Sequence, residues 1–543
     1  MALAQEEARD GDRGTAGTLV RVAPLAEIEA KGRHLFKAGG KQIAVFAGKG
    51  GVFACNNRCP HEGYPLMEGS LTEGGAGDCV LTCNWHNWKF DLASGETLVG
   101  GDKLRRYPVE IADGTVFVDI ADPPAETLAA EALASLRESF RRHEYDRMAR
   151  EISRLQKAGG DPLDALRAAF AWTADRFEFG CSHAQAGAAD WLAIRDAFAR
   201  TAEEKLVPLV EIVGHLAWDT LREPAYPYPA GARPYDAAAL VAAIEAEDET
   251  AAVQLLRGAL DAGLGFAELE EPLAEAALAH YNDFGHSLIY VQKTGELLER
   301  LGPESAEPLL LSLVRSLVYA TREDLIPEFR AYAPALANWD GKGTAPVAAD
   351  DLLGLSVSKV LARVNASSGD VAALYDALLG AAAWQFLHCD TALMHAVDKP
   401  VSHNVNWLDF THAITFGHAV RDLCTKYPRL WPQGLLQIAC FVGRNAGFVD
   451  KTVEAADWRV ADAQAFLDGA LAGLLDHDQV EYIVSIHHVK LLSAAKAEIA
   501  AAPDAPWVPT LLAALNRFLN EPLRRKHPLR VAHQAMGFVA AEG

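Results

Sequence analysis

The chain has 543 residues, of which 50% are hydrophobic and 23% charged, enough for two to four domains with full-sized cores. Its formal net charge of −23, with no block of Lys or Arg, argues against nucleic acid as a partner. The longest uncharged run, Leu430 to Gly443, is shorter than the roughly 18 residues a membrane span needs, so no membrane association is expected.

Residues 1–16 are polar and acidic, lack an apolar signal-peptide core and read as a disordered N-terminus. From Leu19 to Ile120 short alternating runs prevail, among them Leu19-Val20-Arg21-Val22, Gln42-Ile43-Ala44-Val45-Phe46 and Thr115-Val116-Phe117-Val118. Glycines separate them, as in a small antiparallel β-sandwich. Two loops stand out within this stretch. Cys59-Pro60-His61-Glu62-Gly63 is answered by Cys83-Asn84-Trp85-His86, with 21 residues between His61 and Cys83. Each loop offers one thiolate and one imidazole. A 2Fe–2S cluster with two cysteines on one iron and two histidines on the other needs that supply. A tetrahedral zinc site of two Cys and two His is the alternative, but Trp85-His86 and the Ser94-Gly95-Glu96 turn have no role in a zinc finger.

With Trp88-Lys89-Phe90-Asp91 and the turn Ala93-Ser94-Gly95-Glu96, residues 17–121 resemble the Rieske domains of ferredoxins and ring-hydroxylating oxygenases. The resemblance implies a Rieske 2Fe–2S cluster on Cys59, His61, Cys83 and His86, with the two imidazoles partly exposed. Respiratory-chain members carry an extra cysteine in each loop, forming a disulfide. Here Cys55 and Cys79 lie outside both motifs, so no such disulfide is expected. No Ser or Tyr is placed as in the high-potential forms, which implies a low-potential electron-transfer centre. The other six cysteines are scattered singly, which argues for the cytoplasm.

Asp122-Pro123-Pro124 ends the strand pattern; residues 122–126 read as a linker and 127–543 as an all-α, His-rich domain. Thr127 to Ala158 reads as one amphipathic helix, closed by Gly159-Gly160. Similar starts near Gly160, Asp248, Gly369 and Ala461 suggest about four helical repeats. The best internal match sets His280-x3-Phe284-Gly285-His286 against His412-x3-Phe416-Gly417-His418. The expected fold is therefore multidomain α and β: a small antiparallel β-sandwich followed by a large all-α helical-repeat domain.

Sixteen of the eighteen histidines lie outside the two loops. At about 100° per residue, Asp283, His286, Tyr290 and Lys293 share one helical sector, as do Thr411, Thr415, His418 and Asp422. His388 and His395 are seven apart, as are Glu481 and His488. Inward His and carboxylate stripes on facing helices are how helical proteins build iron sites. The expected ligands of a second, mono- or dinuclear non-haem iron site are His280, His286, His388, His395, His412 and His418. Asp283, Tyr290, Asp409 and Asp422 are the candidate catalytic or positioning groups. A polar substrate cavity without metal and a purely structural role remain the alternatives.

Asn406-Trp407-Leu408-Asp409-Phe410-Thr411-His412 through His418 looks like the iron motif of Rieske oxygenases. Its second spacing is one residue too long and its surroundings are helical, so it reads as convergent. The helical part is also similar to questin-oxidase-like proteins. This likeness is carried by His286, Glu299-Arg300-Leu301-Gly302, Pro327-Glu328-Phe329-Arg330-Ala331-Tyr332 and His412 to Arg421. It implies oxygen insertion into an aromatic substrate. No G-x-G-x-x-G unit follows a strand, so electrons are expected from a separate reductase or ferredoxin. The expectation is an iron-dependent oxidoreductase, an oxygenase taking O2 and a small organic substrate, with a homo-oligomer as a compatible assembly. Metal-free questin-oxidase-like oxygenation and a non-enzymatic electron relay or redox sensor are the rivals.

Overall fold

The computed structural model describes residues 18–73 and 79–542. The expectation of a disordered segment at 1–16 lies outside these residues. Cα packing divides the chain into two compact units: the first runs to Ser139 and takes in Glu144–Gly160, the second comprises Phe140–His143 and Asp161–Gly543.

The first unit begins with β1 (Leu19–Pro24), β2 (Arg33–Ala38), β3 (Lys41–Gly48) and β4 (Gly51–Asn56). It continues with β5 (Ser70–Glu73), β6 (Cys79–Thr82), β7 (Lys89–Asp91) and β8 (Thr97–Val99). β9 (Arg106–Tyr107), β10 (Val109–Ala112) and β11 (Thr115–Asp119) complete it. They form three antiparallel sheets, ordered β1-β11-β10, β2-β3-β4-β9 and β5-β6-β7-β8. β3 shows how the period-2 pattern organises them. Ile43 and Val45 pack with Ile28, Val116 and Val118, whereas Ala44 and Phe46 pack with Leu66, Leu81 and Phe90. The second of these cores underlies the two cysteine-histidine loops.

The single helix expected over 127–158 is two helices, Ala125–Arg142 and Tyr145–Lys157. The break falls at His143, whose φ of 52° lies in the left-handed region and cannot continue a helix. The change from strand to helix falls near the expected linker at 122–126, but compactness divides the chain at Gly160. Ion pairs explain the difference. Asp102, wholly buried in the loop after β8, accepts hydrogen bonds from Arg150 Nε at 3.1 Å and Nη2 at 2.8 Å, and from Arg154 Nη1 at 2.5 Å. Arg154 Nη2 also reaches the Pro60 carbonyl at 3.5 Å. Burial alone would raise the Asp102 carboxyl, but the Arg150 hydrogen bonds and the Arg154 charge prevail and hold it below the usual carboxylate range.

The second unit is a large helical body. Four of its helices carry the histidines that converge in its interior: His183–Ala197, His286–Leu301, Trp407–Lys426 and Tyr482–Ala501. The first starts where the Ser182 hydroxyl accepts from the Ala184 N–H, and the third carries a capping box of Asn406 and Asp409. The two F-G-H segments are not structurally equivalent. Phe416 and Gly417 lie inside a continuous helix, whereas Asp283, Phe284 and Gly285 have φ of 46°, 45° and 81° and form a tight turn. A positive φ at an aromatic residue is strained. The segments nevertheless touch, since a Cβ on Gly285 would stand 2.6 Å from the Phe416 ring. Among the described residues no helix is long and apolar enough to cross a membrane.

Two outcomes are expected. Asp102→Asn, which strands two guanidinium groups that are partly exposed, should cost about 2 kcal/mol in chemical denaturation and raise hydrogen exchange in Tyr145–Lys157. Because the folded carboxyl titrates below its unfolded value of about 3.9, this contribution is complete above that value and lost as pH falls through the lower folded one. Gly285→Ala should destabilise the second unit by roughly 2 kcal/mol, read as a shifted thermal midpoint, because both its φ and the Phe416 contact oppose a side chain.

Candidate metal centres

The first centre lies in the loops after β4 and β6. The first loop is fixed by backbone hydrogen bonds: Cys59 N–H to Tyr64 O at 2.9 Å and Gly63 N–H to Cys59 O at 2.8 Å, with Gly63 at φ 74°. Asn57 Oδ1 accepts the Met67 N–H at 2.8 Å. The second loop closes through Cys83 N–H to Trp88 O at 2.8 Å and Asn87 N–H to Cys83 O at 3.0 Å, with Asn87 at φ 59°. These turns bring Cys59, Cys83, His61 and His86 together. The two thiols are buried and in mutual hydrogen-bond contact, and the two imidazole centroids lie 4.8 Å apart. Burial pushes the Cys59 thiol up to about 11, while the backbone N–H groups of His61 and Glu62 act the other way. Trp88 stacks on His61 at 4.5 Å and 9°, and Trp85 on His86 at 4.9 Å and 20°. Glu62 stands 3.7 and 3.9 Å from the two imidazoles, too far to hydrogen-bond either.

This donor set fits a 2Fe–2S cluster. His61 Nδ1 is buried with no hydrogen-bond partner, as a nitrogen reserved for a metal would be. Amide N–H groups already point at the Cys59 sulfur, in the manner that tunes cluster potentials. Both imidazoles keep an exposed edge.

The second centre is in the helical unit. His183 and His286 each open a helix, while His412 and His487 sit inside theirs. His286 Nε2 is 3.1 Å from His183 Nε2, and His487 Nε2 is 3.2 Å from His412 Nε2. Ring centroids are 4.5 Å apart for His286–His412, 4.9 Å for His183–His487 and 5.1 Å for His412–His487. One ligand nitrogen from each of His183, His286 and His412 lies within 4.8 Å of the others. The tautomers are set from behind. His286 Nδ1 donates to the Asp283 carbonyl at 2.6 Å and His487 Nδ1 to the Ile483 carbonyl at 2.5 Å. His412 bonds the Leu408 backbone in the same way. Each Nε2 is thereby left as a bare lone pair facing its neighbours.

Metal–nitrogen bonds of about 2.1 Å put adjacent ligand nitrogens about 3.0–3.4 Å apart, the separation found within the His183–His286 and His412–His487 pairs. Burial first, then the charge of Lys490 and the neighbouring imidazoles, lowers all four histidines, His286 to about 3. They are neutral, as metal binding requires. His412 and His487 are buried, while His183 and His286 retain partial exposure. Tyr290 lies 5.7 Å from His286, ring to ring, and burial pushes the Asp283 carboxyl up to about 6. Lys490 is 2% exposed, its ammonium has no hydrogen-bond partner among the described residues, and burial pushes it down to about 8.

Of the six histidines expected as second-site ligands, His286 and His412 meet and four stand elsewhere. His280 bonds Asp324 at 2.9 Å and Glu245 at 3.0 Å, because the turn before His286 swings it out of line. His388 stacks on Trp384 at 3.9 Å. His395 is exposed beside Arg524. His418 lies further along its helix, away from the other imidazoles, and donates to the buried Glu498 at 2.9 Å. Of the carboxylates, Asp409 accepts the Asn406 N–H as a cap and Asp422 meets Gln292 and Lys426, so neither joins Asp283 and Tyr290 beside the imidazoles.

His183 and His487 escape a reading of the sequence. His183 has one signal, the Ser182 cap that puts it, like His286, in the first position of a helix. His487 is hidden by its neighbour His488, which packs against Phe518 instead.

Residues 18–106 match the model of the Rieske [2Fe-2S] domain. Over 105 residues the chain is 30% identical to the ferredoxin subunit of 3-phenylpropionate/cinnamic acid dioxygenase of Escherichia coli K12, covering 19% of this chain and 94% of that one. It is 34% identical over 96 residues to 4beta-methylsterol monooxygenase of Methylococcus capsulatus, where the match spans 16% of this chain and only a quarter of the relative's length. Among solved structures, the ferredoxin of carbazole 1,9a-dioxygenase from Nocardioides aromaticivorans is 25% identical, with 19% of this chain and 97% of that one covered and a TM-score of 0.17. The match to the dioxygenase ferredoxin subunit runs through nearly its full length, and the family model spans both ligand loops of this chain. Through this N-terminal domain the chain belongs to the Rieske [2Fe-2S] family.

Proposed function

We propose that the protein is an oxygenase in which a Rieske cluster in the first unit supplies electrons to a mononuclear non-haem iron held by His183, His286, His412 and His487. The observation that carries this reading is the convergence of four neutral imidazoles, three of which, His286, His412 and His487, are held at Nδ1 by the backbone so that Nε2 is bared. Such lone pairs, packed beside the His183 ring, suit a cation lying among them. Imidazole ligands suit several metals, but zinc does no redox chemistry, and a one-electron carrier in the same chain favours iron.

When bound, the cluster supplies one-electron transfer through the two histidine-ligated edges. The chain's own part is to hold Cys59, Cys83, His61 and His86 in two braced loops and to leave the imidazole edges open to exchange. At the helical site, the backbone holds His286, His412 and His487, His183 and His286 keep partial exposure, and Asp283 and Tyr290, near His286, would position a bound organic substrate. The relatives' names, a dioxygenase ferredoxin subunit and a methylsterol monooxygenase, support an oxygenation context. So does the questin-oxidase-like pattern around His286 and His412, which favours an aromatic substrate. The four-imidazole geometry favours the metal over metal-free chemistry. Electrons reach the cluster from a separate reductase.

Iron quantitation after anaerobic purification, with low-temperature magnetic resonance, tests this. About three irons per chain are expected, falling to about two in His286→Ala and His412→Ala with the Rieske spectrum unchanged and oxygen consumption lost. His418→Ala should keep all three. Wild-type iron content in both His286→Ala and His412→Ala would end the proposal. In the converse experiment, Cys83→Ser should lose the Rieske spectrum yet retain the remaining iron, and its reductase-driven oxygen uptake should fall to background.

A further inference from the structure

A chain of aromatic side chains leads from Tyr482, on the helix that carries His487, to the surface of the helical unit. Tyr482 opens the helix that carries His487, and the next residue, Ile483, supplies the carbonyl that holds His487 Nδ1 at 2.5 Å. One peptide unit and one hydrogen bond thus connect the phenol's residue to a centre imidazole. Tyr482 Oη and His143 Nε2 are 3.0 Å apart, with the rings edge-on at 5.6 Å. His143 also bonds the Gly214 backbone, and burial lowers its imidazole, so it is neutral with Nε2 free to accept the phenol proton. Trp218 meets the far side of His143 at 5.2 Å and is 56% exposed. His215 stacks flat on Tyr482 at 5.2 Å and 10°, closing its other face.

None of this is needed to hold a metal. A phenol paired to a neutral imidazole is arranged to lose an electron and a proton together. We propose that Tyr482, His143 and Trp218 carry oxidising equivalents out of the imidazole centre to solvent when oxygen has been activated without substrate to consume it.

This rests on the reading that the centre holds a redox metal. Tyr482 gives one electron to the oxidised centre, and its phenolic proton passes to His143 Nε2. Trp218 then gives one electron to the tyrosyl radical, and the proton returns from His143 to the phenolate oxygen. The oxidised indole loses its N–H proton to water. It recovers one electron and one proton from a small one-electron reductant such as a thiol or ascorbate.

Two measurements test the chain. In metal-free protein, flash oxidation by tris(bipyridine)ruthenium(III) should yield a tyrosyl signal in magnetic resonance that is lost in Tyr482→Phe and delayed in Trp218→Phe. In iron-loaded, reduced protein exposed to oxygen without substrate, Tyr482→Phe should inactivate several-fold faster than wild type, at equal iron content and an unchanged melting point. A tyrosyl yield in Tyr482→Phe equal to wild type, or equal rates of inactivation at equal iron, overturns the chain and leaves the oxygenase reading standing. A wild-type protein that binds no iron beyond the cluster overturns both.

Discussion

The helical unit depends on a contact that is easily passed over: backbone carbonyls hold the Nδ1 side of its central imidazoles. Asp283 and Ile483 do this for His286 and His487, and Leu408 for His412. A carbonyl only accepts, so it dictates which ring nitrogen keeps the proton and which is bare. Four imidazoles pressed together without that constraint could share protons between rings. With it, the Nε2 atoms of these three rings are bared toward the neighbouring imidazoles, an arrangement that suits a cation. The carbonyls belong to helix turns and to one strained loop, so the fold's own backbone serves as the outer support of the site.

That strained loop shows how local conformation decides chemistry. Left-handed backbone at Asp283, Phe284 and Gly285 stops one segment and lets His286 begin the next helix. Had the helix run straight through, His280 and His286 would lie about 120° apart on it. Instead the turn sends His280 to a surface pair of carboxylates and His286 to the interior. Strain of this kind persists only where surrounding packing over-determines it, and the close approach of Phe416 to Gly285 supplies such packing.

These features explain what the sequence could and could not disclose. The cluster loops were legible because all four ligands lie in two short segments whose spacing is itself the chemistry. The β-sandwich followed from period-2 alternation, as β3 illustrates. The second centre was half legible. Helical counting found His286 and His412 but enlisted His418, which faces Glu498, and His280, which lies beyond a turn that counting cannot see. Tyr482–Ala501 is apolar on nearly every side, so no polar stripe marked out His487 over His488. Nor does anything in one dimension announce that residues 183 and 487 will be neighbours.

The same separation has a bearing on how the protein matures. The four imidazoles come from helices spread across about three hundred residues, so no fragment of the unit contains a usable pocket. A cation captured there ties the earliest of these helices to the latest, and its binding free energy accrues to the finished body rather than to any part. The cluster loops, by contrast, close within thirty residues and can be filled while the rest of the chain is still being made. Loading would therefore have a built-in order: the electron carrier can be completed early, and a metal at the helical site would be admitted only once the body enclosing it has assembled.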